Sequence, residues 1–277
     1  MLAYAHQCGA WEAPSSTLFA LRRALELGAT GIELDVHATA DRRLVVCHDG
    51  TVDRTTQGHG PIDSLILAEL RTLDNAYWFI PGADETPGLA AEAYPYRGRA
   101  PADAEFGVAT LEEVLDVLDD HPHVALNLDI KQSAPSVEPY EELLAGVLAR
   151  RSGTDRIIVA SFLDVATDSF VKFAPDIATS AGTLATAMFW RAVHQGEEPP
   201  STPHVALQVP AVQGDLVVVD EALVSAAHER QMALHVWTIN DEPEMARLLD
   251  LGVDGIISDL PTPLVSLLGD RDLTYRP

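Results

Sequence analysis

Cysteine, basic residues and long apolar runs are all scarce in this chain of 277 residues. Its two cysteines, Cys8 and Cys47, cannot build the disulfide framework of a secreted domain, so we expect reduced thiols and a cytoplasmic protein. No apolar run is long enough to span a bilayer, and the first residues lack the basic and apolar regions of a signal peptide. The sequence therefore predicts neither a disulfide scaffold nor a transmembrane segment.

Acidic residues greatly outnumber basic ones. The chain has 42 Asp and Glu against 18 Lys and Arg, which gives a formal net charge of −24. Nucleic acids and anionic membranes are bound by basic surfaces, so this composition argues against either as a partner. The composition leaves the oligomeric state open.

Apolar runs of strand length alternate with amphipathic helical patterns along most of the chain. The predicted parallel strands cover residues 2–6, 32–36, 124–130, 157–161, 177–181, 205–209, 233–239 and 255–258. The predicted helices cover residues 15–27, 63–73, 110–118, 139–151, 164–173, 183–194, 220–229 and 242–251, followed by a helical C-terminal tail. Eight strands, each followed by a helix, predict an α/β chain folded as one (β/α)₈ TIM barrel over residues 1–277. A doubly wound open sheet is the alternative.

Two segments interrupt this alternation. The run at 44–49 follows the strand at 32–36 too closely for a parallel crossover, so we expect it to fold back on that strand. Residues 75–107 are rich in proline, glycine and aromatic side chains. A connection of that length inside a compact domain is usually functional or a linker, and we interpret it as an insertion over one barrel mouth.

Acidic side chains collect where the active site of such a barrel is expected, at the carboxyl ends of the strands. Glu33 and Asp35 share one face of their strand, and Asp129 ends another strand. Oxygen ligands of this kind suit one divalent cation, Mg²⁺ or Ca²⁺. The plainer alternative is a pair of acids solvated at a strand edge.

Basic and aromatic side chains end other strands. His6 and His48 are candidates for general acid and base, and Asp49 could orient the His48 ring. Lys131 shares its strand face with Asp129 and would bring positive charge to an anionic substrate. Together with the carboxylates, these side chains suit a phosphate ester bound to a divalent cation.

Several motifs resemble the glycerophosphodiester phosphodiesterases in order and spacing. They are GIELDVHATADRRLVVCHDGTVDRTTQGHG, ATLEEVL, LNLDIK, WTIN and GVDGIISDLP. The resemblance implies a barrel that hydrolyses glycerophosphodiesters to an alcohol and glycerol phosphate with a divalent cation. It further implies Glu33, Asp35 and Asp129 as metal ligands and His6 and His48 as the acid–base pair. Lys131 would face the phosphate, and Trp237 would form part of the substrate wall.

Two family motifs are altered. The family's H-R-G reads His6-Gln7-Cys8 here, and its P-E-N-T reads P-S-S-T at residues 14–17. The phosphate-binding arginine is therefore missing, and Gln7 offers the substrate a donor without the charged fork. Asp129 stands where the family usually has Glu, which should shift the metal toward the strand at 124–130.

These departures leave two alternatives to a glycerophosphodiesterase. The first is a phospholipase D-like enzyme that cleaves lysophospholipids through a cyclic phosphate. The second is a barrel that binds phosphoesters without turning them over.

Overall fold

A computed structural model describes residues 1–131 and 140–273. Its strands are β1 (Leu2–His6), β2 (Gly31–Ala38), β3 (Leu44–Val46), β4 (Ala125–Ile130), β5 (Ile157–Ala160), β6 (Ala178–Thr179), β7 (Ala206–Pro210), β8 (Val212–Gln213), β9 (Leu216–Val217), β10 (Ala233–Trp237) and β11 (Gly255–Ser258). Its helices are α1 (Leu18–Leu27), α2 (Leu67–Leu70), α3 (Leu111–Leu118), α4 (Tyr140–Leu148), α5 (Asp164–Phe173), α6 (Thr183–Gln195), α7 (Glu221–Glu229), α8 (Glu242–Leu251) and α9 (Pro261–Asp270).

Eight parallel strands form a nearly closed barrel. Their lateral order is β6, β5, β4, β2, β1, β11, β10 and β7. A single parallel bridge between Ser180 and Ala206 joins the two ends of this order. The first and last barrel strands are neighbours, because β1 pairs with β11 from Leu2 opposite Gly255 to Ala5 opposite Ser258. The predicted TIM-barrel fold is confirmed.

The core lies between the barrel and its helices in two large apolar clusters. One packs β2, β4 and β5 against α1, α3, α4 and α5. The other packs β7, β10 and β11 against α6, α7, α8 and α9. Inside the barrel, Tyr4 is fully buried. A Cβ on Gly31 would lie 2.4 Å from Cδ1 of this ring, so only glycine allows β2 to approach it.

Most element bounds lie within three residues of the predicted ones, and four differences are notable. The helix predicted at 15–27 begins at Leu18, because Thr17 is its N-cap and accepts from the Ala20 amide. The strand predicted at 177–181 shortens to Ala178–Thr179, and the helix predicted at 63–73 is a 3₁₀ turn followed by the four-residue α2. The β8–β9 hairpin was not predicted. The start of the helix predicted at 139–151 and the last residues of the C-terminal tail lie outside the described residues.

The segment expected to fold back does so. β3 pairs antiparallel with the end of β2, with Val46 opposite Val36 and Leu44 opposite Ala38. Within residues 75–107, Gly82 donates to the Trp11 carbonyl and Trp11 donates to Asp84 at 2.9 Å. This segment therefore contacts the loop after β1, which leads from the barrel's carboxyl end. None of the helices in the described ranges combines the length and the apolar composition that spanning a bilayer requires.

Candidate active site

Strand register brings three carboxylates together at the carboxyl end of the barrel. Asp35 on β2 lies directly opposite Asp129 on β4, and Glu33 lies two residues earlier on the same face of β2. One carboxylate oxygen from each residue lies within 4.8 Å of the other two. All three residues are buried, and Asp35 is fully inaccessible. Burial and the charge of Asp35 raise the pKa of Glu33 to about 8, and burial raises the pKa of Asp129.

Lys131 partly offsets this negative charge. Its Nζ lies 2.7 Å from Asp35 Oδ1 and 2.8 Å from Asp129 Oδ2. Burial disfavours the ammonium, but the charges of Asp35 and Asp129 outweigh it and raise the pKa of Lys131. The lysine predicted to face a phosphate therefore also holds two of the candidate metal ligands.

The three carboxylates fit a hard divalent cation. Within the described residues, Asp35 Oδ2 and Asp129 Oδ1 have no hydrogen-bond partner, although both atoms are buried. A buried carboxylate oxygen without a partner is costly, and a cation would satisfy it. All the ligand atoms are oxygens, which favours Mg²⁺ or Ca²⁺ over softer metals.

His6 stands beside this cluster at the end of β1, laterally opposite Glu33. Its Nδ1 lies 2.6 Å from Asp259 Oδ1, and its Nε2 lies 3.8 Å from Glu33 Oε2. Burial opposes the charged imidazole, but the hydrogen bond to Asp259 and the charge of Glu33 outweigh it. Together they raise the pKa of His6 to about 9. Asp259 is itself held by the Asn240 side chain, which donates to its Oδ2 at 2.7 Å.

His48 follows β3 and faces His6 across the site. The two ring centroids are 6.2 Å apart and the rings are nearly perpendicular. His48 Nδ1 lies 2.7 Å from Asp49 Oδ1. In both histidines a carboxylate therefore engages Nδ1, which leaves Nε2 as the nitrogen for exchange with a ligand.

A chain of charges supports Asp49. Arg54 donates from Nε to Asp49 Oδ2 at 2.9 Å, and its Nη1 forms an ion pair with Glu85. Glu85 comes from the 75–107 segment, and its other oxygen accepts from the Ser15 hydroxyl at 2.9 Å. Hydrogen bonds from His48 and Arg54 hold the pKa of Asp49 well below its usual range. Asp49 is therefore a carboxylate fixed between a histidine and an arginine.

A cavity of about 640 Å³ opens above these groups. Six of its lining residues are polar or charged side chains from the acidic side of the barrel: His6, Glu33, His48, Asn127, Asp129 and Lys131. Trp237, predicted to form part of the substrate wall, also lines the cavity. Its ring packs edge to face against Phe162, with the ring centroids 5.3 Å apart. The structure thus brings most of the predicted site residues around one space.

Two of the predicted site residues do not line the cavity. Asp35 does not line the cavity, since it lies beneath Lys131. Gln7, predicted to offer a donor to the substrate, does not line it either. The Gln7 backbone amide donates to Glu33 Oε2 at 3.1 Å, and its side-chain Nε2 lies 3.3 Å from His6 Nε2. Gln7 is therefore placed to orient Glu33 and His6.

Three side chains of the site had no predicted role. Asp259 follows the last predicted strand, where active-site side chains are expected, and barrel closure puts the end of β11 beside His6 on β1. Arg54 belongs to the DRTTQGHG loop, so its motif marked it without giving its partner. No sequence pattern marked Glu85 as a site residue, since it lies in a segment without apolar periodicity.

Comparison with known proteins assigns the family. A nearly closed parallel barrel with carboxylates and imidazoles at the carboxyl ends of its strands is typical of barrel enzymes. The glycerophosphoryl diester phosphodiesterase family matches residues 6–262. The chain belongs to this family and is a phosphoric diester hydrolase.

Individual relatives agree with this assignment. A glycerophosphodiester phosphodiesterase of Caldanaerobacter subterraneus is 31% identical over 267 residues, which is 96% of this chain and 97% of that protein. A glycerophosphoryl diester phosphodiesterase domain of Mycobacterium tuberculosis has the same fold, with a TM-score of 0.79 at 20% identity over 96% of this chain and 98% of that chain. An Oleispira antarctica phosphodiesterase, solved with the product sn-glycerol-3-phosphate, has a TM-score of 0.73 at 25% identity over 97% of each chain.

Proposed function

We propose that this enzyme hydrolyses glycerophosphodiesters to an alcohol and glycerol phosphate, with one divalent cation and two histidines. The observation that carries the proposal is the placement of His6 and His48 on either side of a cavity floored by three carboxylates. Their ring centroids are 6.2 Å apart, and the carboxylate oxygens lie within 4.8 Å of one another. The substrate is a small-molecule diester.

Glu33, Asp35 and Asp129 would hold the cation, which is Mg²⁺ or Ca²⁺. When bound, such an ion lowers the negative charge of the phosphate and favours deprotonation of an attacking hydroxyl. Lys131 lines the same cavity and is its one side chain, among the described residues, with a fixed positive charge. It therefore takes up part of the phosphate-binding role that the family assigns to the arginine missing at Gln7.

The two histidines move the protons. One imidazole removes a proton from the attacking water, and the other gives a proton to the departing alcohol. Asp259 and Asp49 keep the two rings oriented through Nδ1, so that Nε2 is the nitrogen of each ring that exchanges a proton, and the Gln7 side chain lies 3.3 Å from that of His6. Trp237 forms part of the cavity wall against which the organic part of the ester packs.

The direct test is turnover of glycerophosphocholine by the purified protein with Mg²⁺ or Ca²⁺, followed by phosphorus NMR. An open monoester product is expected, whereas a cyclic phosphate would favour the phospholipase D-like alternative. His6→Ala and His48→Ala should each lower kcat by at least about 10²-fold, as loss of a general acid or base does. His123→Ala, at an exposed position, is the matched control. Failure to hydrolyse any diester with any divalent cation would leave only a phosphoester-binding barrel.

The cytoplasmic location stays a prediction from composition. The interpretation of residues 75–107 as an insertion over the barrel mouth also stays a prediction. The contacts of Asp84 and Glu85 with the loops after β1 and β3 support that second prediction.

A further inference from the structure

The cavity extends well beyond the catalytic groups. Its volume of about 640 Å³ corresponds to about twenty water molecules at the ~30 Å³ that each occupies in the liquid. A glycerol phosphate group has only about ten non-hydrogen atoms, so it fills a minor part of a pocket of this size. The remaining space runs away from β1, β2 and β4 toward α6 and the β8–β9 hairpin. We call this part the apolar arm.

The apolar arm is defined by its apolar lining residues, and uncharged polar side chains such as Thr186 and Gln213 lie among them. The apolar lining residues are Phe162, Ala187, Trp190, Val209, Leu216 and Val218. None of the cavity-lining residues between Ala160 and Ile257 carries a charged side chain. The charged lining residues all belong to the other side, on or next to β1, β2, β3 and β4. The cavity therefore has one ionic end and one apolar end, the distribution that suits an amphiphilic ligand.

The apolar surface continues outside the cavity. Phe162 and Leu216 line the cavity and are nevertheless 50% and 46% exposed. Leu184 and Met188 on α6 and Val217 on the hairpin are exposed at 63%, 42% and 52%. Large apolar side chains grouped at one mouth usually mark a binding surface, whereas isolated ones need no explanation. A hydrocarbon chain longer than the arm would find an apolar path along this rim.

A cationic headgroup fits the arm less well. The trimethylammonium of choline is recognised by several aromatic faces around one point or by a carboxylate. The walls of the arm include the aliphatic side chains Ala187, Val209 and Val218, and no carboxylate lines it among the described residues. The Trp190 indole nitrogen is already engaged, since it donates to the Val218 carbonyl at 3.0 Å. Aliphatic walls favour a hydrocarbon chain.

We propose that the apolar arm binds the single hydrocarbon chain of a lysophospholipid-type diester, so that this enzyme prefers chain-bearing glycerophosphodiesters to short ones. The inference rests on the proposed function and specifies its substrate class. In the reaction, the water oxygen bonds to phosphorus while the bond between phosphorus and the headgroup oxygen breaks. The proton from water ends on the headgroup alcohol, and the chain-bearing glycerol phosphate is the other product.

The test is a series of 1-acyl-glycerophosphocholines of increasing chain length, kept below their micelle concentrations and compared with glycerophosphocholine. Each buried methylene should raise kcat/KM by up to about fourfold until the arm is filled, after which the increase should level off. A flat profile from glycerophosphocholine to the dodecanoyl ester would overturn the inference while leaving the phosphodiesterase activity established.

Ala187→Phe tests the location of the chain. Ala187 is an exposed residue of α6 whose side chain borders the arm, so a phenyl ring there fills the space without entering the core. The variant should lower the ratio of kcat/KM for dodecanoyl ester to that for glycerophosphocholine at least tenfold. Ala222→Phe, on an exposed position of α7 that does not border the cavity, should keep the wild-type ratio. Equal ratios in the two variants would place the chain elsewhere and refute the inference.

Binding separates this inference from the proposed function. Dodecylphosphocholine and phosphocholine can be titrated against tryptophan fluorescence, because Trp190 and Trp237 both line the cavity. Tighter binding of dodecylphosphocholine, weakened by Ala187→Phe, would support the apolar arm even if no diester were hydrolysed. Equal affinity of the two compounds would overturn it even if glycerophosphocholine were a good substrate.

Discussion

Lys131→Met removes the ammonium from the acidic cluster and keeps most of the side chain's apolar length. The ammonium lies 2.7 Å from Asp35 and 2.8 Å from Asp129, and the Lys131 side chain is only 20% exposed. Removing one partner of a buried ion pair typically costs about 3–5 kcal/mol, because the other partner keeps an uncompensated charge. A proton can enter the cluster in its place, since burial already raises the pKa of Asp129. We therefore expect a loss of about 3 kcal/mol of unfolding free energy, at the lower end of that range.

The measurement is urea unfolding at pH 7 in the presence of EDTA. Lys172→Met is the matched control, because Lys172 is the chain's only other lysine and lies exposed near the end of α5. Substitution at such a surface position should change the unfolding free energy by no more than about 0.5 kcal/mol.

A second measurement checks whether the lysine and a divalent cation share ligands. Both are attracted to Asp35 and Asp129, so Lys131→Met should bind Ca²⁺ or Mg²⁺ more tightly than the wild type. An increase of about tenfold, or 1.4 kcal/mol, is expected by calorimetry. Turnover should fall in the same variant, because the cavity loses its fixed positive charge. Unchanged stability in EDTA, or weaker cation binding by the variant, would refute this account of the cluster.

Three further predictions concern the cation, the Glu85 contact and pH. A cation at 100 times its Kd should stabilise the fold by about 2.7 kcal/mol, so the Tm should rise by several degrees, and Asp35→Asn should abolish the rise in a thermal-shift assay. Glu85→Gln leaves Arg54 with one carboxylate, and we expect kcat to fall about tenfold with little change in KM. An equal fall in the exposed control Glu92→Gln would contradict this reason. Burial lowers the pKa of His235 from 6.5 to about 4, so the unfolded chain binds a proton there that the folded chain does not. Stability should therefore decline as the pH falls from about 6.5 to 4, by on the order of 3 kcal/mol. Urea unfolding of His235→Gln should show a weaker dependence over that range, and identical slopes would count against it.

The barrel was predictable because its strands and helices differ in their apolar period. The strands Leu2–His6 and Gly255–Ser258 have the predicted bounds. Strand parity also placed Glu33 and Asp35 on one face, and the ends of the predicted apolar runs marked Asp129 and His48 as further candidates. These signals are local or depend on one assumption, that the eight strands lie side by side in a barrel.

What the sequence could not predict depends on contacts between distant loops. The Arg54–Glu85 ion pair joins residues 31 positions apart, and residue 85 lies in a segment without apolar periodicity. The β8–β9 hairpin, Val212–Val217, consists of two-residue strands with exposed side chains, so no alternation of buried and exposed positions marked it. The orientation of the Lys131 side chain is set by its ion pairs with Asp35 and Asp129. Strand parity predicted only the face of the strand on which Lys131 lies.

The position of His48 depends on the register of the antiparallel ladder between β2 and β3. Val46 lies opposite Val36, and the Cys47 amide donates to the Asp35 carbonyl at 3.1 Å. Since neighbouring side chains point in opposite directions, a slip of one residue would move the imidazole of His48 to the opposite face of the ladder. A single deletion between Leu44 and His48 should therefore abolish turnover, while the reversing turn at 39–43 can change length at far lower cost.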